Sequence, residues 1–393
     1  MPLDIRDGYA VIKDSEDFKK FNQTPVSWLE GVTGIRIERI SHFSAALLRL
    51  FFAKLDKAHA SLVQAIQIIP DGDVLVSKDG IVYSKSGETL MLCPAGRKGS
   101  VTVAEGTRTI NDRAFAHSQI SEVVLPGSVE EICASAFWDC QRLAAVKTSG
   151  SLAEIGETAF YNCRALTSFE EQPGLVFIGD SAFAYSGLME MLFPSSLRYI
   201  EGHAFFGCPM EKAVLTRDVW LGESCFANVK QLSVENYNTQ IIRACANSYA
   251  MGTVELSIDG ELPLILPRYL TDTTAADNQI RTYLYTKNPD DANLAPYALH
   301  EADRYQAALL QYRYTKAPEL KSYLHKNAAG IAAWAAEEGE EKLLETIRTV
   351  PWDTAARAAF LDVSQAYQFV AASAAILELQ RQAGQNQEER FQL

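Results

Sequence analysis

The stretch SEVVLPGSVEEICASAFWDCQRL (residues 121–143) has the same spacing of apolar residues as the later stretch SLAEIGETAFYNCRALTS (residues 151–168). In both, an Ile is followed five residues later by Phe, then after three residues by Cys, and after three more by Leu. The central pair recurs in six copies, which are Ala114-Phe115, Ala136-Phe137, Ala159-Phe160, Ala182-Phe183, Ala204-Phe205 and Cys225-Phe226. The Phe residues are 22, 23, 23, 22 and 21 positions apart, which indicates an internal repeat.

Two further apolar columns keep step with the Phe column. Five residues before each Phe stand Ile110, Ile132, Ile155, Ile178, Ile200 and Leu221. Five or six residues after each Phe stand Ile120, Leu143, Leu166, Leu188, Met210 and Leu232. A unit of this size cannot bury its own apolar face, but stacked units can. We therefore expect a solenoid in which each buried Phe or Ile packs on its counterpart and contributes about 1.5–3 kcal/mol.

Each repeat also predicts a short strand after its Leu column. VVLP (Val123–Pro126), MLFP (Met191–Pro194) and AVL (Ala213–Leu215) alternate apolar and variable residues. The segment from Ile to Phe is predicted as a turn or short 3₁₀-like coil on the opposite side of the unit. Before the first full repeat, Asp79-Gly80 and Ser86-Gly87 predict the turns of successive hairpin strands.

These columns resemble the BspA-like class of bacterial leucine-rich repeats, which carries a strand, an IG-x-x-AF element and a C-x-x-L element in each unit. The resemblance covers about residues 71–235. It implies a right-handed solenoid with one short parallel strand in each repeat of 22–23 residues. It also implies that the array is a binding surface, often on a cell surface, and it implies no catalysis.

The regions on both sides of the repeats lack this pattern. Apolar residues at helical spacing over Phe43–Ile69 predict one amphipathic helix, which we expect to cap the open end of the solenoid. After Leu232 the repeat decays, and one or two degenerate copies are expected at most. Residues 261–300 contain four prolines and are expected to serve partly as a connector.

The C-terminal region is predicted to be helical. It is rich in Ala, Glu, Leu and Gln, and Leu343 and Ile376 are 33 residues apart, as in ankyrin-like helix pairs. The predicted fold class is therefore α+β, a leucine-rich-repeat solenoid followed by an α-helical repeat domain. Its domains are a capping region at 1–70, the solenoid at 71–260, and a connector with helical repeats at 261–393.

Composition excludes several classes of protein. The chain has 393 residues, 48% of them hydrophobic, and a formal net charge of −13, which argues against general binding to nucleic acid or anionic membranes. Its longest apolar stretch, Phe43–Leu55, contains Arg49 and is too short to span a bilayer. The first residues have mixed charges and no apolar stretch of signal-peptide length, so a cytoplasmic protein is expected.

The cysteines and histidines suggest no reactive site. None of the seven cysteines forms a C-x-x-C pair, and the six histidines lack metal-binding spacings, so no catalytic, cofactor or metal site is predicted. Cys140, Cys163 and Cys208 occupy one repeat column. We favour a small buried residue packed between coils at this column over a metal or disulfide ladder. A zinc site at His203 and Cys208 is not favoured.

The strands should present two outward-facing columns. The first is Glu122, Ala145, Ser168, Glu190, Lys212 and Val234. The second is Val124, Lys147, Glu170, Leu192, Val214 and Asn236. The predicted partner-binding residues are Val124, Lys147, Glu170, Glu190, Leu192, Lys212, Val214 and Asn236. Apolar Leu192 and Val214 make a candidate partner patch, although the C-terminal helices or a self-contact could equally cover them.

An aromatic edge is a further candidate for recognition. Trp138, Tyr161 and Phe206 directly follow the Phe column, and Tyr185 stands two residues beyond its own Phe. Aromatic side chains are enriched among the residues that dominate binding energy at interfaces.

Three functions follow from these patterns. The leading hypothesis is a non-catalytic interaction or scaffold protein with a protein partner and no cofactor. The alternative is a secreted or cell-surface adhesin whose signal is missing from this chain. The third is an enzyme with a site near residues 260–300, for which His300 and Asp303 would be the residues to inspect. The sequence leaves the partner and the oligomeric state open.

Overall fold

The computed structural model describes residues 3–38, 44–55, 57–69, 74–148, 150, 152–170, 173–247 and 252–391. The chain divides into two compact units. The first contains Met1–Val229 and Ser233–Cys245, and the second contains Lys230–Leu232 and Ala246–Leu393.

The strands are short and most lie in the first unit. They are β1 (Ile5–Arg6), β2 (Tyr9–Ile12), β3 (Gly34–Ile37), β4 (Ala65–Ile68), β5 (Leu75–Lys78), β6 (Ile81–Ser84), β7 (Thr89–Leu92), β8 (Lys98–Thr102), β9 (Thr109–Ile110), β10 (Gln119–Leu125), β11 (Glu131–Ile132), β12 (Ala145–Thr148), β13 (Glu154–Ile155), β14 (Ser168–Phe169), β15 (Phe177–Ile178), β16 (Glu190–Met191), β17 (Tyr199–Ile200), β18 (Lys212–Leu215), β19 (Trp220–Leu221), β20 (Gln231–Val234), β21 (Thr253–Ile258) and β22 (Leu264–Pro267).

The helices are concentrated in the second unit. They are α1 (Ser15–Gln23), α2 (Ala45–Lys54), α3 (Lys57–Leu62), α4 (Gln240–Cys245), α5 (Thr273–Thr286), α6 (Glu301–Thr315), α7 (Pro318–Lys326), α8 (Ala328–Glu337), α9 (Glu340–Thr349), α10 (Thr354–Ala366) and α11 (Val370–Phe391). Short 3₁₀ helices occur at Val26–Trp28, Pro289–Ala292 and Ala295–Tyr297.

The N-terminal region is a small α/β layer. Strands β1 to β4 form a four-stranded sheet in which β2, β3 and β4 run parallel. The predicted single helix over Phe43–Ile69 is wrong, because α2 and α3 are separate helices and β4 is a strand. The sequence of β4 alternates half-buried and buried residues with Ile66 and Ile68 inward, which is the period of a strand. Phe43 itself lies outside the described residues.

The predicted hairpin turns are confirmed. Strands β5 and β6 pair antiparallel with Lys78 opposite Ile81, so Asp79 and Gly80 form a two-residue turn. Both turn residues have positive φ, at 47° and 74°, as a tight hairpin turn of this length requires. Strand β7 then pairs antiparallel with β6 and parallel with β9, which links the hairpin to the repeats.

The repeats contain two parallel ladders instead of one. The predicted strand after the Leu column is confirmed by β10, β12, β14, β16 and β18. The segment predicted as coil contains a second, two-residue strand that ends at the Ile column. These strands pair in register, with Ile132 opposite Ile155 and Ile155 opposite Ile178. Gly156 N donates to Ile132 O at 2.8 Å, so equivalent backbones in adjacent repeats come into hydrogen-bonding contact.

The Phe column forms the centre of the solenoid core. Successive rings from Phe115 to Phe226 are stacked with centroids 4.7, 5.0, 5.1, 5.5 and 5.5 Å apart. The backbone beside the rings is also continuous, because Phe137 N donates to Ala159 O at 2.8 Å and Phe160 N to Ala182 O at 2.7 Å. The small residue before each Phe, Ala in five pairs and Cys225 in the sixth, is fully buried beside the rings.

After the last Phe a helix takes the position of the next repeat. Phe226 N donates to Ala244 O in α4, just as Phe205 N donates to Cys225 O in the preceding step. Residues 227–260 contain no Ala-Phe pair, so α4 supplies backbone acceptors to the last coil without extending the Phe column.

The second unit combines a hairpin with packed helices. Strands β21 and β22 pair antiparallel. Residues 261–300, which we expected to serve partly as a connector, contain α5, a 14-residue helix whose N-cap is Asp272. The predicted helical C-terminal region is confirmed by α6 to α11, and Leu343 and Ile376 are both buried in its core.

Candidate interaction surface

The strand face is the outward side of β10, β12, β14, β16 and β18. Register brings the first predicted column together in two groups, which belong to two sheets. Glu122 lies opposite Ala145 in one, and Ser168 lies opposite Glu190 and Glu190 opposite Lys212 in the other. In the second column, Val124 lies opposite Lys147. Lys147 also forms an ion pair with Glu122, with Nζ to Oε2 at 3.2 Å.

The two apolar residues of this face are accessible. Leu192 is 67% exposed and Val214 is 41% exposed. Glu190 pairs with Lys212 in the parallel strands β16 and β18, and Leu192 and Val214 each stand two residues beyond this pair. Glu170, Glu190 and Lys212 are exposed around them, so the apolar pair has charged neighbours of both signs.

The last residues of the two predicted outward columns do not lie on outward strand positions. Val234 was expected to face outward, but it is buried. The reason is that β18 begins two residues after Met210 of the Leu column, whereas β20 begins one residue before Leu232. Leu232 and Val234 are therefore the inward residues of β20, and Gln231 and Ser233 are its outward residues. Asn236 is exposed, but it lies in a bend beyond the end of β20.

The aromatic edge exists as a continuous line of ring contacts. The Trp138 and Tyr161 centroids are 6.4 Å apart, those of Tyr161 and Tyr185 are 5.4 Å apart, and those of Tyr185 and Phe206 are 5.7 Å apart. Tyr185 is exposed and the other three are half-buried. His117 extends the line, with its ring 4.6 Å from that of Trp138.

A carboxylate beside this edge is held by a polar network. Asp139 accepts from Gln141 Nε2 at 2.8 Å and from Asn162 Nδ2, and its Oδ2 lies 3.1 Å from His117 Nδ1. Burial by itself raises the pKa of Asp139, but these hydrogen bonds outweigh burial and hold the pKa below its ordinary value. The network ties together equivalent turns of adjacent repeats.

The cysteine column is structural, as we favoured. All seven cysteines lie within the described residues and are free. The Cys140, Cys163 and Cys208 thiols donate to the carbonyls of Phe115, Phe137 and Phe183 at 3.0, 3.1 and 3.0 Å. Burial raises the pKa of Cys140 to about 12 and of Cys208 to about 11, which keeps these thiols protonated as donors.

The remaining sequence candidates are not assembled into a reactive site. His203 is exposed and contacts the Phe206 ring, whereas Cys208 is buried. Across the described ranges, no group of three or more His, Cys, Asp or Glu side chains could hold a metal ion. In the second unit, Asp303 is buried and accepts from Gly252 N at 2.7 Å, and the His300 ring lies 6.0 Å from that of Tyr269. His42 lies outside the described residues.

Sequence reasoning missed an exposed column on the second ladder, which we call the isoleucine ladder (β9, β11, β13, β15, β17 and β19). The residue before each Ile-column position faces outward in register, and these residues are Thr109, Glu131, Glu154, Phe177, Tyr199 and Trp220. Tyr199 is 49% exposed and Trp220 is 46% exposed. The change from polar to aromatic along this column is visible in the sequence. A coil, which is what the sequence predicts beside the Ile column, has no outward face on which to place these residues.

Residues 108–233 match the family model described as BspA type Leucine rich repeat region, in six copies. This part of the chain is a BspA-type leucine-rich repeat region. The sequence-based resemblance and the α+β fold class are thus confirmed. No curated protein matches the chain. Among the helices of the described part, none is both long and apolar enough to cross a membrane.

Solved structures of bacterial leucine-rich repeat proteins are similar to the chain. A leucine rich cell surface protein from Faecalibacterium prausnitzii is 22% identical over 48% of this chain and 46% of its own, with a TM-score of 0.37. The pneumococcal vaccine antigen PcpA is 15% identical over 51% of this chain and 50% of its own, with a TM-score of 0.42. A leucine-rich repeat protein from Bacteroides capillosus is 25% identical over 31% of this chain and 99% of its own, with a TM-score of 0.27. The chain spans about half the length of the first two.

Proposed function

We propose that this chain is a non-catalytic interaction protein that binds a protein partner through the strand face. The observation that carries the proposal is the exposure of two apolar side chains, Leu192 directly after β16 and Val214 within the neighbouring parallel strand β18. Burying two such side chains at the centre of an interface contributes about 1.5–3 kcal/mol for each that becomes fully buried.

The surroundings of the pair support a protein as the partner. Val124, Lys147, Glu170, Glu190, Lys212 and Asn236 supply the predicted rim. Lys147 and Lys212 alternate with the carboxylates, so the face has no single sign of charge. An apolar centre with a mixed polar rim is the arrangement of protein–protein interfaces, whereas phosphate backbones require clustered cations.

The test begins by identifying a partner. Affinity capture from the native cell followed by mass spectrometry supplies candidates, and purified candidates are then titrated against the purified chain. The variant is Leu192→Glu with Val214→Glu. The matched control is Leu377→Glu with Val370→Glu, which alters a Leu and a Val of the helical unit that are 52% and 80% exposed.

We expect the strand-face variant to bind at least about tenfold more weakly, because two desolvated anions would occupy the apolar centre. The control should retain binding within about twofold. Circular dichroism and urea unfolding establish that both variants are folded. The proposal is refuted if the folded strand-face variant binds as the wild type does.

A further inference from the structure

The isoleucine ladder presents an exposed aromatic surface that is separate from the strand face. Phe177 lies opposite Tyr199, and Tyr199 opposite Trp220, in successive parallel strands. In-register neighbours on one ladder are about 4.8 Å apart, so the three side chains form one contiguous row. Tyr and Trp are among the residues that most often dominate interface energies.

The same ladder is uniformly acidic. Each of its strands together with the next two residues reads TIND (109–112), EICA (131–134), EIGE (154–157), FIGD (177–180), YIEG (199–202) and WLGE (220–223). These segments contain seven carboxylates and no Lys, Arg or His. Glu131, Glu154, Glu157 and Glu223 are exposed. The strand face differs, because Lys147 and Lys212 interrupt its carboxylates.

Charge along the outward column is graded. Glu131 and Glu154 stand in the column at one end, and Phe177, Tyr199 and Trp220 stand at the other. Exposed arginines stand directly beside two of these segments. Arg108 precedes Thr109 and pairs with Glu130 at 2.8 Å, and Arg113 follows Asp112. Arg198 precedes Tyr199, and its Nη1 donates to the carbonyls of Ser195 and Leu197 at 2.8 and 2.9 Å. The surface therefore offers carboxylates for cations and aromatic rings for cations or apolar side chains.

We propose that the isoleucine ladder docks an extended, basic segment of a partner protein, in which Arg or Lys residues are interspersed with apolar ones. Guanidinium and ammonium groups pair with the carboxylates and stack on the exposed Tyr and Trp, and apolar side chains cover the rest of the aromatic row. Six strands span roughly 24 Å at about 4.8 Å per step, which an extended segment of about seven residues covers.

The negative charge of the isoleucine ladder favours a basic peptide over a membrane surface as its occupant. Aromatic side chains also favour the interfacial zone of bilayers, but anionic lipids attract cationic surfaces. Seven carboxylates in six short segments repel such a surface and attract a basic peptide.

The experiment titrates the full chain with a short synthetic peptide of alternating Arg and Leu, using isothermal titration calorimetry. The ladder variants are Tyr199→Ser with Trp220→Ser, and Glu154→Gln with Glu157→Gln. The matched charge control is Glu337→Gln with Glu338→Gln, an exposed pair in the helical unit. The strand-face control is Leu192→Ser with Val214→Ser. Vesicles of phosphatidylcholine and phosphatidylserine test the membrane alternative.

We expect the aromatic variant to weaken peptide binding about tenfold, and the ladder carboxylate variant to weaken it about fivefold. The helical charge control and the strand-face control should each change it by less than about twofold. Equal losses in the two charge variants would mean that only the net charge attracts the peptide, and would overturn the proposal. It is also overturned if the peptide fails to bind, if the folded aromatic variant binds normally, or if the vesicles bind and the aromatic variant abolishes that binding. The strand-face variant distinguishes failure of this proposal from failure of the function proposed above, because it alters only Leu192 and Val214 and leaves the isoleucine ladder intact.

Discussion

The repeat region and the helical unit build their cores in different ways. In the repeats a side chain packs on a copy of itself, as Phe160 does between Phe137 and Phe183 at 5.0 and 5.1 Å, with rings within 9° of parallel. In the helical unit unlike residues meet, as Phe360 and Trp352 do at 4.8 Å with rings 49° apart. A core made of equivalent residues sets the same distance between coils at every repeat. In a core of unlike residues, each contact is set by the shapes of the particular side chains that meet there.

The largest expected effect comes from removing a ring of the Phe column. Phe160→Ala should lower the free energy of unfolding by about 3–5 kcal/mol, because the ring is fully buried and stacked on two others. Phe360→Ala, at an equally buried site of the helical unit, should cost less because the adjacent Trp352 can shift into the space. Urea unfolding measures both values.

Hydrogen exchange sharpens the same comparison. In Phe160→Ala, the backbone amides at positions 137 and 160 should exchange faster than in the wild type, since each donates to the neighbouring coil beside the lost ring. A larger loss of stability for Phe360→Ala than for Phe160→Ala would contradict the view that the column acts as a unit.

The second prediction concerns the distance between coils. A Cβ on Gly179 would lie 2.6 Å from Glu157 N and 2.7 Å from Gly156 C, both backbone atoms of the adjacent coil. Gly179→Ala should therefore destabilise the protein by about 1–3 kcal/mol. Gly384→Ala in α11 is the control, because nothing lies within 4 Å of its added Cβ, and it should be neutral or stabilising by up to about 1 kcal/mol. Thermal or urea unfolding with indistinguishable results for the two variants would show that the coils can separate freely.

The same contrast explains what the sequence could predict. The Ile, Phe and Cys columns were identified because each stacked position repeats at nearly constant spacing and tolerates few residue types. The second strand of each repeat was missed because it has only two residues, and its pairing depends on coil-to-coil register that no single repeat displays. Val234 was misplaced because β18 begins two residues after Met210 of the Leu column, whereas β20 begins one residue before Leu232. The two starts differ by three residues relative to the column, and an odd shift reverses the faces of the side chains.

The flanking regions were predicted less completely for a related reason. Over Phe43–Ile69 the apolar residues fit a helical spacing, and only the alternation at Ile66 and Ile68 signals a strand. The segment becomes the strand β4 because it pairs with β3, and this pairing is a tertiary interaction that the local sequence does not display. The exposure of Leu192 and Val214 was predictable, because both residues occur where the alternation of the strand places side chains outward. The exposed surface at Tyr199 and Trp220 was not predictable in this way, because it depends on the second ladder of strands.

A smaller effect is expected at the cysteine column. Ser118 and Ser186 occupy the equivalent position in other repeats, and their hydroxyls lie 3.3 Å from the thiols of Cys140 and Cys208. Cys163→Ser should therefore change stability by less than about 1 kcal/mol, because a hydroxyl can still donate to Phe137 O. Cys163→Ala should cost more than the Ser variant, since it removes the donor. Urea midpoints measure both variants. A lower midpoint for Cys163→Ser than for Cys163→Ala would show that the column depends on the packing of the thiol and not on its hydrogen bond.

The smallest effect concerns a residue of the helical unit that has no repeated counterpart. Asp303 is buried, its Oδ1 accepts from Gly252 N, and no partner within the described ranges reaches its Oδ2. Burial raises the pKa of this carboxyl, outweighing the hydrogen bond from Gly252 and the charges of His300 and Arg268.

A raised pKa in the folded state means that the unfolded chain loses this proton first as the pH increases, so ionisation progressively favours unfolding. Asp303→Asn cannot ionise, and its stability relative to the wild type should rise between about pH 3 and pH 7. Paired urea titrations at these pH values measure the difference, and Asp362→Asn, at an exposed position of α10, is the control for the substitution itself. A difference that is independent of pH, or that shrinks as the pH rises, would mean that the surrounding charges stabilise the Asp303 carboxylate despite its burial.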